Sequence, residues 1–122
     1  MKIYLHLEAD EIEEVADATI SAISKWLKEG KSSAQLVNTN IESGAEGGRT
    51  DWDIGLTIET SKKAILAKPL NFLYELAKAE QQEFVVGIYD ESQSSYENVC
   101  YFGYEEGKPD LHEVASYLGM LR

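Results

Sequence analysis

Residues 2–30, KIYLHLEADEIEEVADATISAISKWLKEG, change their hydrophobic period once, and that change decides the fold class. Over residues 2 to 8 the period is two: Ile3, Leu5 and Leu7 alternate with Tyr4, His6 and Glu8, as in a strand with unlike faces. From Asp10 to about Glu29 the apolar positions become Ile12, Val15, Ala16, Thr19, Ile20, Ile23, Trp26 and Leu27, the stripe of an amphipathic helix. Asp10 is the expected N-cap and Gly30 the expected stop. Glu11, Glu13 and Glu14 at the helix start and Lys25 and Lys28 near its end complement the helix dipole.

Working outward, residues 34–41 (AQLVNTNI) read as a second strand with Val37, Thr39 and Ile41 on one side. After the glycine-rich connection ESGAEGGRT, residues 51 to 60 alternate most cleanly: Trp52, Ile54, Leu56 and Ile58 against Asp51, Asp53, Thr57 and Glu59. Trp52 is therefore read as core. Ser61 is the expected cap of a second helix carrying Ile65, Leu66, Leu70, Leu73, Leu76 and Ala77, with Pro69 either in its first turn or at a kink. Phe84, Val86 and Ile88 start a fourth strand. The turn DESQSS (90–95) leads to a fifth, from about Tyr96 to Tyr104, and Pro109 opens a short helix with Leu111, Val114, Leu118 and Leu121 on one face. The first six elements match the split βαβ, ferredoxin-like plan: an antiparallel sheet of about five strands with two helices on one face, extended by the last strand and helix. Residues 1–122 read as a single α+β domain. In this plan the hairpin loop 42–50 and the turn 90–95 are expected at the same end of the sheet.

The chain has 122 residues, one cysteine and a formal charge of −11. A chain of this size buries roughly two thirds of its unfolded surface, enough for one core without metal or disulfide staples. Cys100 has no second cysteine to pair with, no apolar run approaches a membrane span, and MKIYLHLEAD lacks the long apolar stretch of a leader. A cytoplasmic location is expected. The charge also argues against nucleic acid or an anionic membrane as partner, because both are held by clustered Lys and Arg.

Its distribution says more. Residues 1–37 carry −3, 38–60 carry −4, 61–79 carry +3 and 80–122 carry −7. Glu42, Glu46, Asp51, Asp53, Asp90, Glu91 and Glu97 lie on or beside the two loops, interrupted only by Arg49. Trp52, Tyr96 and Tyr104 accompany them, and such aromatics anchor interfaces. The candidate partner-binding set is accordingly Glu42, Glu46, Asp51, Asp53, Asp90, Glu91, Tyr96 and Glu97, facing a basic protein. General solubility charge is the competing explanation of the same acids.

The inventory for catalysis is thin. His6 lies opposite the expected core side of its strand, His112 lies on the polar side of the last helix, and they form no zinc spacing with Cys100. Cys100, inside a strand, is read as a small inert hydrophobe, and no serine occupies a nucleophile elbow. Asp51 and Asp53 share a strand face and could grip Mg²⁺ with Glu59 or Glu97 nearby, but no basic cluster accompanies them to hold a phosphate substrate. The glycines of Gly44–Gly48 precede a strand, whereas phosphate cradles open a helix. No cofactor is expected, and the chain is read as a binding protein, not an enzyme.

The tail YFGYEEGKPD (101–110) running into LHEVASYLGML resembles the ends of small bacterial toxin immunity proteins, of the contact-dependent inhibition or polymorphic toxin type. In those families an aromatic-glycine strand precedes a short proline-started helix. The resemblance implies stoichiometric binding to a cognate toxin domain, commonly a basic nuclease (RNase, tRNase or DNase), with no functional position carried over from a motif. Two further readings stand beside it. One is a small regulatory or assembly subunit, forming a weak homodimer through an open sheet face carrying Tyr4, His6 and Tyr89. The other is a Mg²⁺-dependent phosphoryl-transfer enzyme using Asp51 and Asp53.

Overall fold

A strand apolar on one side must bury that side, and here every strand does so beneath the same layer of helices. The computed structural model describes residues 1–30, 32–42, 50–93 and 95–119; Glu46, the glycines 44–48, Arg49 and Leu121 lie outside them, as do the side chains of residues 39–42 and 50–52. The elements are β1 (Lys2–Glu8), α1 (Ile12–Lys28), β2 (Gln35–Glu42), β3 (Thr50–Glu59), α2 (Lys63–Glu80), β4 (Glu83–Asp90), β5 (Ser95–Gly103) and α3 (Leu111–Tyr117). The five strands form one antiparallel sheet in the order β2-β3-β1-β4-β5. This is the ferredoxin-like βαββαβ order with β5 added beyond β4 and α3 beside α2. Among the described residues no helix is long and apolar enough to cross a membrane.

The core lies between the sheet and the helices. Ile3, Leu5, Ile54, Leu56, Phe84, Val86 and Phe102 point down from the sheet, meeting Ile23 of α1, Leu66, Leu70 and Leu73 of α2, and Val114 of α3. Phe84 and Phe102 stack across β4 and β5 at 5.7 Å, while Trp26 and Phe72 stack nearly parallel at 4.6 Å and join α1 to α2. Each buried aliphatic or aromatic side chain of this set contributes about 1.5–3 kcal/mol relative to exposure.

The helix ends differ from expectation in two places. Glu11, not Asp10, occupies the N-cap of α1 and makes no side-chain cap bond. Lys62 precedes α2, and the turn there is held by the Thr60 hydroxyl accepting from the Lys62 N–H at 3.1 Å, so Ser61 is no cap. Pro69 lies inside α2 beyond its first turn, fully buried, where packing into the core offsets the N–H it cannot donate. The cap of α3 is conventional: the Asp110 carboxylate accepts from the Glu113 N–H at 3.0 Å. Ahead of it, Gly103 and Gly107 exchange backbone hydrogen bonds, and the Glu83 carboxylate accepts from the N–H groups of Glu105 and Glu106.

The two loops do not share an end of the sheet. β2 runs parallel to β1 with β3 between them, so the β2–β3 hairpin, where Glu42 pairs with Thr50, opens beyond the C-terminal end of β1. β4 runs antiparallel to β1, pairing Lys2 with Tyr89, so the β4–β5 turn lies at the N-terminal end of β1. Lys2 also pairs with Glu59, nine residues along β3 from Thr50, which separates the two ends by roughly 30 Å at strand spacing.

The caps give a direct test. Replacing Asp110 by Ala removes the α3 cap and is expected to cost about 1 kcal/mol, whereas Asp10→Ala should stay within about 0.5 kcal/mol. The shift of the urea midpoint at constant slope measures both.

Candidate functional site

With all helices on one side, the opposite face of the sheet carries no second layer among the described residues, and it holds an aromatic cluster. Strand register assigns its positions: Tyr4 is opposite Thr57 and Gly87, His6 opposite Gly55 and Val85, and Tyr89 opposite Tyr96. The β4–β5 pairing slips between Val86 and Gly87: Val86 pairs with Cys100, but Gly87 with Asn98. The extra residue, Val99, is a β-bulge. Strict alternation from Tyr101 would send Tyr96 and Asn98 to the helix side. The bulge restores them to the open face with Tyr101, and it turns Glu97 to the position opposite Ile88.

Tyr4 is the floor of this cluster. Its ring lies over Gly87, where an added Cβ would come within 2.2 Å of the Tyr4 Cζ and Oη atoms and 2.4 Å of the Glu97 carbonyl oxygen. The Tyr4 hydroxyl donates to Asn98 Oδ1 at 2.5 Å. His6 lies 4.7 Å away by ring centroids, and Tyr96 meets Tyr4 edge-on at 5.2 Å and Tyr89 at 4.6 Å. Tyr4 and His6 are consequently 3% and 8% exposed on a face without a covering layer, while Tyr96 and Tyr101 remain 60% and 45% exposed. Burial pushes the Tyr4 phenol up to about 12, helped by Tyr101, Tyr96, Asp53 and Glu97. It stays a hydrogen-bond donor at neutral pH.

His6 Nδ1 stands 4.0 Å from Asp53 Oδ1. Burial lowers the imidazole below its ordinary value, and the nearby Asp53 charge opposes the shift. Burial thus favours the neutral imidazole. Together Tyr4, His6, Glu8, Asp53, Tyr96 and Asn98 surround a shallow recess of about 220 Å³. Cys100 faces the helices, half-buried, and burial raises its thiol.

Of the acids expected to form one patch, the structure divides the set. Asp53 and Tyr96 share the recess. Glu97 is exposed on β5 opposite Ile88, at a helix-side position outside the recess lining, and only its charge reaches the Tyr4 phenol. Asp90 and Glu91 belong to the far end: Asp90 accepts from Ser92 Oγ and N and so titrates below the usual carboxylate range, and Glu91 pairs with Lys2 at 3.6 Å. Glu42 and Asp51 pair by backbone with Thr50 and Ile41 at the hairpin end. A single patch spanning both loops is not formed, because β4 leaves the sheet opposite to β2. Asp53 and Glu59 are separated along β3, and Glu97 lies across β1 and β4 from both, so these three carboxylates are not one cluster. Among the described residues no three His, Cys, Asp or Glu side chains are gathered as metal ligands.

Sequence reading did not include Tyr4, His6 or Asn98 in the site. The signal for two of them was present: Tyr4, His6 and Tyr89 occupy the non-core parity of β1 and β4. Asn98 required the bulge. Comparison with family models, with curated proteins and with solved structures returns no match for this chain.

Two outcomes follow from this geometry. Gly87→Ala should cost about 1–3 kcal/mol through overpacking against Tyr4 and the Glu97 carbonyl, with loss of the near-ultraviolet tyrosine dichroism. His6, depressed in the folded state, contributes stability that is full above its unfolded value of about 6.5 and is lost as pH falls through its lower folded value. The stability difference between the wild type and His6→Gln should therefore shrink between pH 7.5 and pH 5, as read by denaturant unfolding.

Proposed function

We propose that this chain is a non-catalytic inhibitor of the toxin-immunity type, which binds a basic nuclease-type toxin domain stoichiometrically in the cytoplasm through the open face of its sheet. One observation carries this reading: an uncovered face whose centre is a tyrosine cluster and whose charged rim is acidic. Lys2 is the one cation among the described residues at open-face positions, and it is engaged by Glu91 and by the Tyr89 ring at 5.2 Å. Glu8, Asp53 and Glu59 are exposed at those positions. Exposed Tyr96 and Tyr101 supply large, stiff contact area of the kind that dominates interface energy. The overall −11 adds long-range attraction for a positive partner.

Charge also separates this reading from a homodimer through the same face. A two-fold pairing sets the patch against a second copy of the same patch, so an acidic rim would face an acidic rim, and like-charge juxtaposition of this sort costs several kcal/mol. A basic heterologous partner removes that penalty.

The experiment is growth protection against, and binding kinetics with, a candidate cognate basic nuclease domain. The double variant Asp53→Lys with Tyr96→Ala should lose protection, while Asp90→Lys with Glu91→Lys, at the far end, should keep it. Association of the wild type should slow by roughly tenfold or more as salt rises from low to several hundred millimolar. Full protection by the sheet-face variant, or a salt-independent association rate, would reject the assignment.

A further inference from the structure

The recess between Tyr4, His6, Asp53 and Tyr96 has a more specific complementarity. Resting on the open face as the docking surface, we infer that this recess receives one arginine side chain of the partner, its guanidinium paired with Asp53 and lying against the Tyr96 and His6 rings.

Size sets the scale of the occupant. About 220 Å³ is below the roughly 300–1,000 Å³ of pockets that enclose whole small molecules. It holds the head of one side chain. Charge sets the sign: Asp53 and Glu8 are the ionic groups of the lining, and Lys2 is drawn toward Glu91 and Tyr89 at the other end of β1. Among the described residues, an anion would meet two carboxylates and no compensating cation.

Hydrogen-bonding capacity narrows the choice further. Asp53 and Glu8 offer carboxylate acceptors, and Tyr4, whose proton is spent on Asn98, offers only its phenolic lone pair. Arginine is the complement of such a lining, with five donors and no acceptor. Shape distinguishes it from lysine. The His6 and Tyr96 rings stand 6.4 Å apart and tilted by 51°, and the His6 ring lies beside the Asp53 carboxylate, with Nδ1 4.0 Å from Oδ1. A flat guanidinium can stack on aromatic faces and pair with a carboxylate along one edge simultaneously, which a round ammonium cannot.

His6 supplies a built-in readout. The titratable groups lining the recess with it are Tyr4 and Glu8 of β1, Asp53 of β3 and Tyr96 of β5, while β4 contributes Val85. A cation seated here competes with protonation of His6, so occupancy must lower the His6 pKa and acid must expel the cation. His112, exposed on α3 beside Lys63 at 3.4 Å, belongs to the helix layer and serves as an internal control.

The test titrates the folded wild-type chain with arginine amide, and separately with lysine amide, at matched ionic strength, following both histidine ring resonances by NMR. Arginine amide should produce saturable shifts at His6, Tyr96 and Asn98 and a lower His6 pKa, with His112 unmoved. Lysine amide should act several-fold more weakly, and Asp53→Asn should weaken arginine amide by about fivefold, the effect of a partly exposed ion pair. Equal shifts at His6 and His112, equal action of the two amides, or an undiminished response in Asp53→Asn would overturn the arginine assignment. Because these titrations contain no toxin, such a failure combined with loss of protection in the sheet-face variant would leave the docking surface standing. Success here with full protection in that variant would instead reject the docking role.

Discussion

The rest of the structure depends on the double burial of β1. This central strand is hydrogen-bonded to β3 on one side and β4 on the other, and it is also covered above and below. Ile3, Leu5 and Leu7 lie under the helices, as any amphipathic strand would arrange. Tyr4 and His6, pointing the other way, are buried just as deeply without any second layer, by neighbours on the same sheet surface. That condition forces the local chemistry. Gly87 must lack a side chain to leave room for the Tyr4 ring, the Tyr4 hydroxyl must find a partner in Asn98, and burial disfavours the charged form of His6.

The bulge at Val99 decides which side chains of β5 join this open surface. Without it, Tyr101 and Tyr96 would occupy opposite faces of β5, Asn98 would face the helices, and the Tyr4 phenol would lose its acceptor. Bulges commonly re-aim side chains at the edges of sheets. Here one extra residue gathers three side chains of an edge strand above a central one, leaving Tyr96 half packed and half free. A side chain in that condition loses little further freedom on binding, which is the advantage of a preorganised anchor.

Electrostatics acts at two ranges. The net charge supplies a diffuse attraction that salt screens within about 10 Å. The carboxylates of the open face act at contact, as Asp53 does beside the His6 ring. Asp90 and Glu91, by contrast, are occupied locally, one holding its own turn and the other answering Lys2. Acids that look equivalent in a count therefore differ in what they can offer a partner.

All eight elements were legible in the sequence to within a few residues, because a period of two or of 3.6 is written by neighbours along the chain and needs no partner to be read. The α+β class and the ferredoxin-like order followed from the succession of those periods. Helix caps were less legible: Asp110 caps α3 as its position suggests, but Asp10 and Ser61 do not cap, since a cap depends on where the first turn closes. The site was half visible, with Asp53 and Tyr96 found from charge and aromatic content, and Tyr4 and His6 noted only as residues of an open face. Their burial, the register slip that brings Asn98 to Tyr4, and the separation of the two acidic loops were decided by the tertiary structure alone. Each depends on hydrogen-bond register between strands far apart in the chain, and a displacement of one residue in that register moves every following side chain to the other face.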